Sequence, residues 1–250
     1  MKGAVVRKAE ASIRYGEESI RYVVRRQAAR KSGRVAIHVD PDGRVLVDAP
    51  EHASDKQIST AVTGRARWIH GHLAAIRLRR AHVLPREYVS GEALFYLGRR
   101  YRLKVLAKAH SPAAVRLRGG YIEVTLPARD PMAVREALNH WYRGRAKLVL
   151  AERLEAMASS LNWIRMPPAM RLQTMKVQWG SCSPAGRLTL NPHLVKAPRE
   201  CIDYVLLHEL CHLKEHNHSR KFYMLLERHL PQWRRKKERL DELADMVLNA

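Results

Sequence analysis

Residues 208–218 read HELCHLKEHNH, four histidines, two glutamates and a cysteine in eleven positions. His208, Glu209 and His212 form an H-E-x-x-H. On a helix, positions i and i+4 share a face, with Cβ atoms about 5–6 Å apart. Two imidazoles so placed can both reach one zinc ion. Glu209, one residue on from the first histidine, stands where zinc hydrolases keep a general base. The chemistry on offer is hydrolysis by water activated at a metal.

A catalytic zinc takes three protein ligands, so a third is needed. His216 would share the helix face if the helix ran straight. The rise from His208 to His216 is then about 12 Å at 1.5 Å per residue, too far for one ion. His218 lies six residues after His212, a spacing used where the chain turns back after the second histidine. Glu215 stands where that turn has glycine, and Asn217 is a residue that tolerates the left-handed conformation a turn would require. Spacing favours His218 over His216, but geometry alone leaves both open. Cys211 points off the ligand face and reads as packing. Cys182 is not needed as a nucleophile beside such a site.

Elements must position these groups. Ile202, Val205 and Leu206 give the motif helix an apolar face, and that helix opens at Pro198. Before it, a strand runs to Trp179, a turn contains Pro184, Ala185 and Gly186, and a second strand spans Arg187–Asn191. That second strand is expected to offer an edge to extended substrate, beside a cleft lined by Trp179, Gly180, Ser181 and Cys182. Ser219 and Asn217 are placed to bond the loop carrying His218. After the motif, Leu225, Leu226, Leu230 and a basic run predict one or two closing amphipathic helices.

The front of the chain reads differently. Val35-Ile37-Val39 and Val45-Val47 alternate around Asp40-Pro41-Asp42-Gly43, a hairpin signature. From Ser54, which reads as an N-cap, Ile58, Val62, Trp68, Ile69, Leu73 and Ile76 recur at helical period. Strand-like runs broken by Gly98 and by Gly119-Gly120 follow. Asp130 then caps a long helix with Pro131 at its first position. The fold class is α+β. The expected division is a β-rich region with one helix over 1–129 and a zincin-like, mainly helical metal-binding domain over 130–250. No internal repeat is evident.

Composition sets outer bounds. The chain has 250 residues, 46% hydrophobic, and a net charge of +22. It is long enough for a substantial core and has no apolar run of membrane-spanning length. Its N-terminal stretch lacks an apolar signal region, so the cytoplasm is the expected compartment. Three cysteines do not suggest a disulfide framework. The charge suggests an anionic partner, nucleic acid or nucleotide, or else a solvated basic coat.

The segments VQWGSCSPAGRLTLNPHLVKAP and IDYVLLHELCHLKEHNHSRKFYMLLERHLPQW closely resemble the YgjP-like family of metal-dependent hydrolases. The shared elements are W-G-S-C, the following L-N strand, A-P before the helix, and H-E-L-C-H followed by N-H-S and an aromatic. YLGRRYRLKV and RARWI in the front half are also similar. One departure is Tyr223, where relatives often carry tryptophan. The resemblance implies a zincin-type fold, His208, His212 and His218 as ligands of one Zn2+, and Glu209 as base. It does not imply the substrate. A peptide bond is expected by analogy of motif. The alternatives are a nucleoside triphosphate phosphohydrolase and a nucleic-acid-associated protease of the SprT type.

Overall fold

The computed structural model describes residues 8–27, 35–40, 43–81, 86–175 and 178–248. The chain separates into two compact units, Met1–Val83 and Leu84–Ala250.

The first unit is two hairpins and a helical layer. Strands β1 (Lys8–Tyr15), β2 (Glu18–Gln27), β3 (Ala36–Val39) and β4 (Val45–Pro50) form a sheet ordered β1-β2-β4-β3. The hairpins are antiparallel, and β2 and β4 run parallel between them. The DPDG signature sits between β3 and β4, although Pro41 and Asp42 lie outside the described residues. Asp40 N donates to the Arg44 carbonyl at 2.9 Å, and Gly43 takes a φ of +81°, as a tight turn requires. Ile20, Val45, Val47, Ile58, Val62 and Ile69 bury together. The helical run from Ser54 forms two helices, α1 (Asp55–Thr63) and α2 (Ala66–Ala81), interrupted at Gly64. Ser54 is the N-cap, in a reciprocal capping box with Gln57.

The second unit opens with the same topology. Strands β5 (Ala93–Tyr96), β6 (Arg99–Ala107), β7 (Ala114–Arg118) and β8 (Tyr121–Leu126) are ordered β5-β6-β8-β7, with β6 and β8 parallel. The long helix α3 (Pro131–Ser159) follows, with Asp130 accepting from Met132 N at its start. A repeat hidden in the sequence is therefore present in the topology. Its trace is slight: GRARWI at 64–69 against GRAKLV at 144–149. The break expected near residue 129 falls inside this unit. Leu103, Val105, Ile122 and Val124 of the sheet share one core with Val134, Leu138 and Tyr142 of α3.

The rest of the unit carries the site. A small sheet contains β9 (Met170–Leu172), β10 (Gly180–Cys182) and β11 (Leu188–Leu190), ordered β10-β11-β9. A 3-10 turn at Pro192–Lys196 leads into α4 (Arg199–Cys211), then α5 (Arg220–His229) and α6 (Trp233–Leu248). The β5–β6 turn braces the start of α4. Leu97 and Gly98 both have positive φ, and their N–H groups donate to the carbonyls of Val195 and Lys196. A Cβ at Gly98 would come within 2.8 Å of Pro198, so only glycine fits there. Arg153 of α3 grips Asp203 of α4 with two bonds of 2.9 and 2.7 Å.

Candidate metal centre

Helix α4 buries Ile202, Val205, Leu206 and Leu210 in the core. That burial fixes which face carries the histidines. His208 lies in its last turn and His212 follows as the C-cap, still in right-handed helical geometry. Their ring centroids are 5.1 Å apart. The helix then closes with tight bonds from Lys214 N and Glu215 N to the Cys211 carbonyl. The chain reverses without a left-handed residue: Asn217 is not among the positive-φ positions. Ser219 restarts the helix as N-cap of α5, accepting from Phe222 N at 3.3 Å. Ser219 N donates to the Asn217 carbonyl at 2.6 Å.

This reversal returns His218 to the ends of the other two. His218 Nε2 lies 2.9 Å from His208 Nε2, and its ring centroid is 4.7 Å from that of His212. One ligand atom from each of the three lies within 4.8 Å of the others. Phe222, fully buried, packs its ring 4.7–4.9 Å from all three imidazoles. His216 is exposed and is not in this group.

Three neutral imidazoles suit a borderline cation such as zinc. Burial, with His218, His212 and Lys237 nearby, holds His208 well below the usual histidine range. Burial also lowers His212. Both rings are therefore unprotonated at neutral pH, the state a metal requires. His212 Nδ1 lies 3.2 Å from the Glu215 carbonyl, so it carries the proton and leaves Nε2 with a lone pair. The residues fit a metal.

Glu209 faces the small sheet. It is 5% exposed, and burial pushes its carboxyl up to about 8. A Cβ built on Gly180 would lie 2.9 Å from both Cγ and Oε1 of Glu209. The glycine of the W-G-S-C element thus makes room for the carboxyl. Gly180→Ala is expected to displace it and lower the turnover number about 10- to 100-fold, with metal content unchanged, as steady-state kinetics and metal analysis would register.

The Glu209 carboxyl also makes a stability prediction for the metal-free chain. Its raised value means the native state holds a proton that the unfolded chain has released. Stability tied to this group is fully present below the ordinary carboxyl range and declines as pH rises toward about 8. Glu209→Gln removes this pH-dependent contribution. Its melting temperature should gain on wild type steadily from pH 4.5 to 8 and then level off. Parallel melts of the two metal-free proteins over that range test this.

The sheet order corrects one expectation. β11, within the RLTLN run, is the central strand, paired with both β10 and β9. The outer strand beside Glu209 is β10. Cys182 on β10 has its thiol pushed up to about 11 by burial and by Glu209, so it is not a thiolate nucleophile. Cys211 is buried in the core, outside the histidine group.

Two supporting residues escaped the sequence reading. Asn191 is fully buried, and its side-chain amide donates to the carbonyls of Met175 and Gln178. It thereby ties Met175 and Gln178, ahead of β10, to the start of the 3-10 turn. Its sequence signal was the Asn-Pro pair, which marks the cap of a helical turn. Tyr204, one turn before His208, packs its ring 5.9 Å from it and stacks on Trp233 of α6. Only the i−4 spacing marked it.

A family model described as the YgjP-like metallopeptidase domain matches residues 33–243. No curated protein matches the chain. Two solved structures are similar to part of it. The metallopeptidase zymogen of Pyrococcus abyssi abylysin shares 24% identity over 38% of this chain and 90% of that one, with a TM-score of 0.32. The metallopeptidase zymogen of Methanocaldococcus jannaschii jannalysin shares 25% identity over 38% and 92%, with a TM-score of 0.31. The family match spans most of the sequence, and the chain belongs to the YgjP-like family, a family of metallopeptidase domains.

Proposed function

We propose that this YgjP-like chain hydrolyses peptide bonds, with one zinc ion held by His208, His212 and His218 and with Glu209 as general base. The observation that carries the reading is the convergence of the three imidazoles, ligand atoms within 4.8 Å, one residue from a buried carboxyl. When bound, the ion supplies Lewis-acid activation of water near neutral pH.

The chain's own residues supply the rest. Phe222 packs against the three rings and limits their rotation. The Glu209 carboxylate takes a proton from the attacking water and passes it to the departing amine nitrogen. In the metal-free chain burial keeps this carboxyl protonated near neutral pH, and the charge of a bound cation would favour the carboxylate form that accepts the proton. The outer strand β10 offers backbone groups beside Glu209 to an extended peptide.

The test is a side-by-side screen of zinc-loaded protein against casein, a mixed peptide library and nucleoside triphosphates. Peptide cleavage should appear, stop on chelation and return with zinc. Phosphate release from nucleotides, lost in Glu209→Ala and unaccompanied by peptide cleavage, would replace this reading with phosphohydrolysis.

A further inference from the structure

The sheet β5-β6-β8-β7 has one face packed on α3 and one turned to solvent. Leu103, Val105, Ile122 and Val124 point into the core. Strand alternation sends their neighbours outward. Those neighbours are Arg100, Arg102 and Lys104 on β6, Arg116 and Arg118 on β7, and Tyr121 on β8, and all six are exposed.

Their register is ordered. Arg102 pairs with Tyr121, and Tyr121 with Arg118, so an aromatic ring stands between two guanidinium groups across three strands. That row is about 10 Å wide at the usual strand spacing. In the next row Lys104, Glu123 and Arg116 lie side by side. Glu123 bonds Lys104 at 3.0 Å, and among the described residues this is the only ion pair on that face. Tyr121 is 42% exposed, with Lys104 Nζ 5.7 Å from its ring centroid.

The first unit serves as an internal control, because its sheet has the same topology. Its outward face mixes Arg14, Arg21 and Arg25 with Glu10 and the apolar Val23 and Leu46. Arg25 is tied to Asp48 at 2.8 Å. The fold therefore does not demand a basic face. The second sheet carries an excess of cations around an exposed ring: Lys104 pairs with Glu123 and lies over one side of Tyr121, while among the described residues the four arginines form no ion pair.

We infer that this face binds single-stranded nucleic acid. The arginines and lysine match backbone phosphates, and Tyr121 gives a base a surface to stack on. A duplex would present phosphates but no open base, and would leave Tyr121 without a role. An anionic lipid surface would likewise use the charge alone. The inference does not depend on the metal centre or on hydrolysis.

The experiment is fluorescence anisotropy with the full chain and a labelled 20-nucleotide oligothymidylate, across a salt series. Wild type should bind with an affinity that falls with salt at a log–log slope of about −3, as four or so phosphate contacts give. Arg102→Gln/Arg118→Gln should weaken binding at least tenfold and flatten the slope by about 1.4. Tyr121→Ala should weaken it about 5- to 150-fold and leave the slope unchanged. Arg14→Gln/Arg21→Gln removes the same charge from the first sheet and should change affinity less than twofold. Binding should survive chelation and Glu209→Gln, and all variants should melt within a few degrees of wild type. The inference is overturned if the two double variants weaken binding equally, or if Tyr121→Ala binds as wild type. It is also overturned if duplex DNA or phosphatidylglycerol vesicles bind as tightly as the oligonucleotide.

Discussion

Glu209→Gln is expected to lower peptide turnover at least a thousandfold while the protein still binds one zinc ion. Glutamine keeps the size and shape of the side chain but cannot accept a proton. The site around it has no room for a substitute. Gly180 closes one side, and a single Cβ there would already touch the carboxyl. The neighbouring thiol of Cys182 is held protonated, pushed up to about 11, and cannot take over as base. General-base catalysis contributes about 10²–10⁴-fold, and the upper part of that range applies where no other group can replace the base. The three imidazoles do not depend on Glu209, so metal content should stay at that of wild type. Loss of turnover together with loss of metal would mean that Glu209 holds the site's structure rather than moving a proton.

His218→Ala should lose most of the bound metal, and His216→Ala should keep it. The first removes a ring whose Nε2 lies 2.9 Å from that of His208. The second removes an exposed ring outside the group. Loss of one of three ligands leaves only the i, i+4 pair, which should bind zinc at least a hundredfold more weakly, the upper part of the range seen even for outer partners of a ligand. Competition with a chromogenic chelator gives both constants directly. The reverse ranking of the two variants would reassign the third ligand.

Much of the centre could be read from spacing, because one helix carries most of it. The i, i+4 rule places His208 and His212 without any knowledge of the fold, and helical rise sets His216 apart. How the chain returns was less legible. Asn217 suggested a left-handed turn, but α4 ends by tightening its last carbonyl bonds, and Ser219 caps the next helix at once. Cap chemistry at Ser54 and Asp130 was plain, since a cap is a local hydrogen bond.

Pairing was not legible. The RLTLN run has the alternation of a strand, but alternation does not say how many neighbours a strand has. Its partner β9 is three residues long and follows two prolines, too short to give a pattern. Division of the chain failed for a similar reason. Both four-stranded sheets read as hairpins of the same kind, and only packing shows that the second belongs to α3. The break in the first helical run at Gly64 was likewise lost in a continuous apolar period, because one glycine is tolerated in many helices.

The central claim is that the three histidines hold one metal ion and that this ion drives peptide hydrolysis. Titration of zinc into metal-free protein, with cleavage of a peptide substrate followed at each addition, tests it most directly. Activity should be absent without metal, rise linearly and level off at one equivalent. Cleavage by the metal-free protein, or none at any equivalent on peptides of any sequence, would contradict the account.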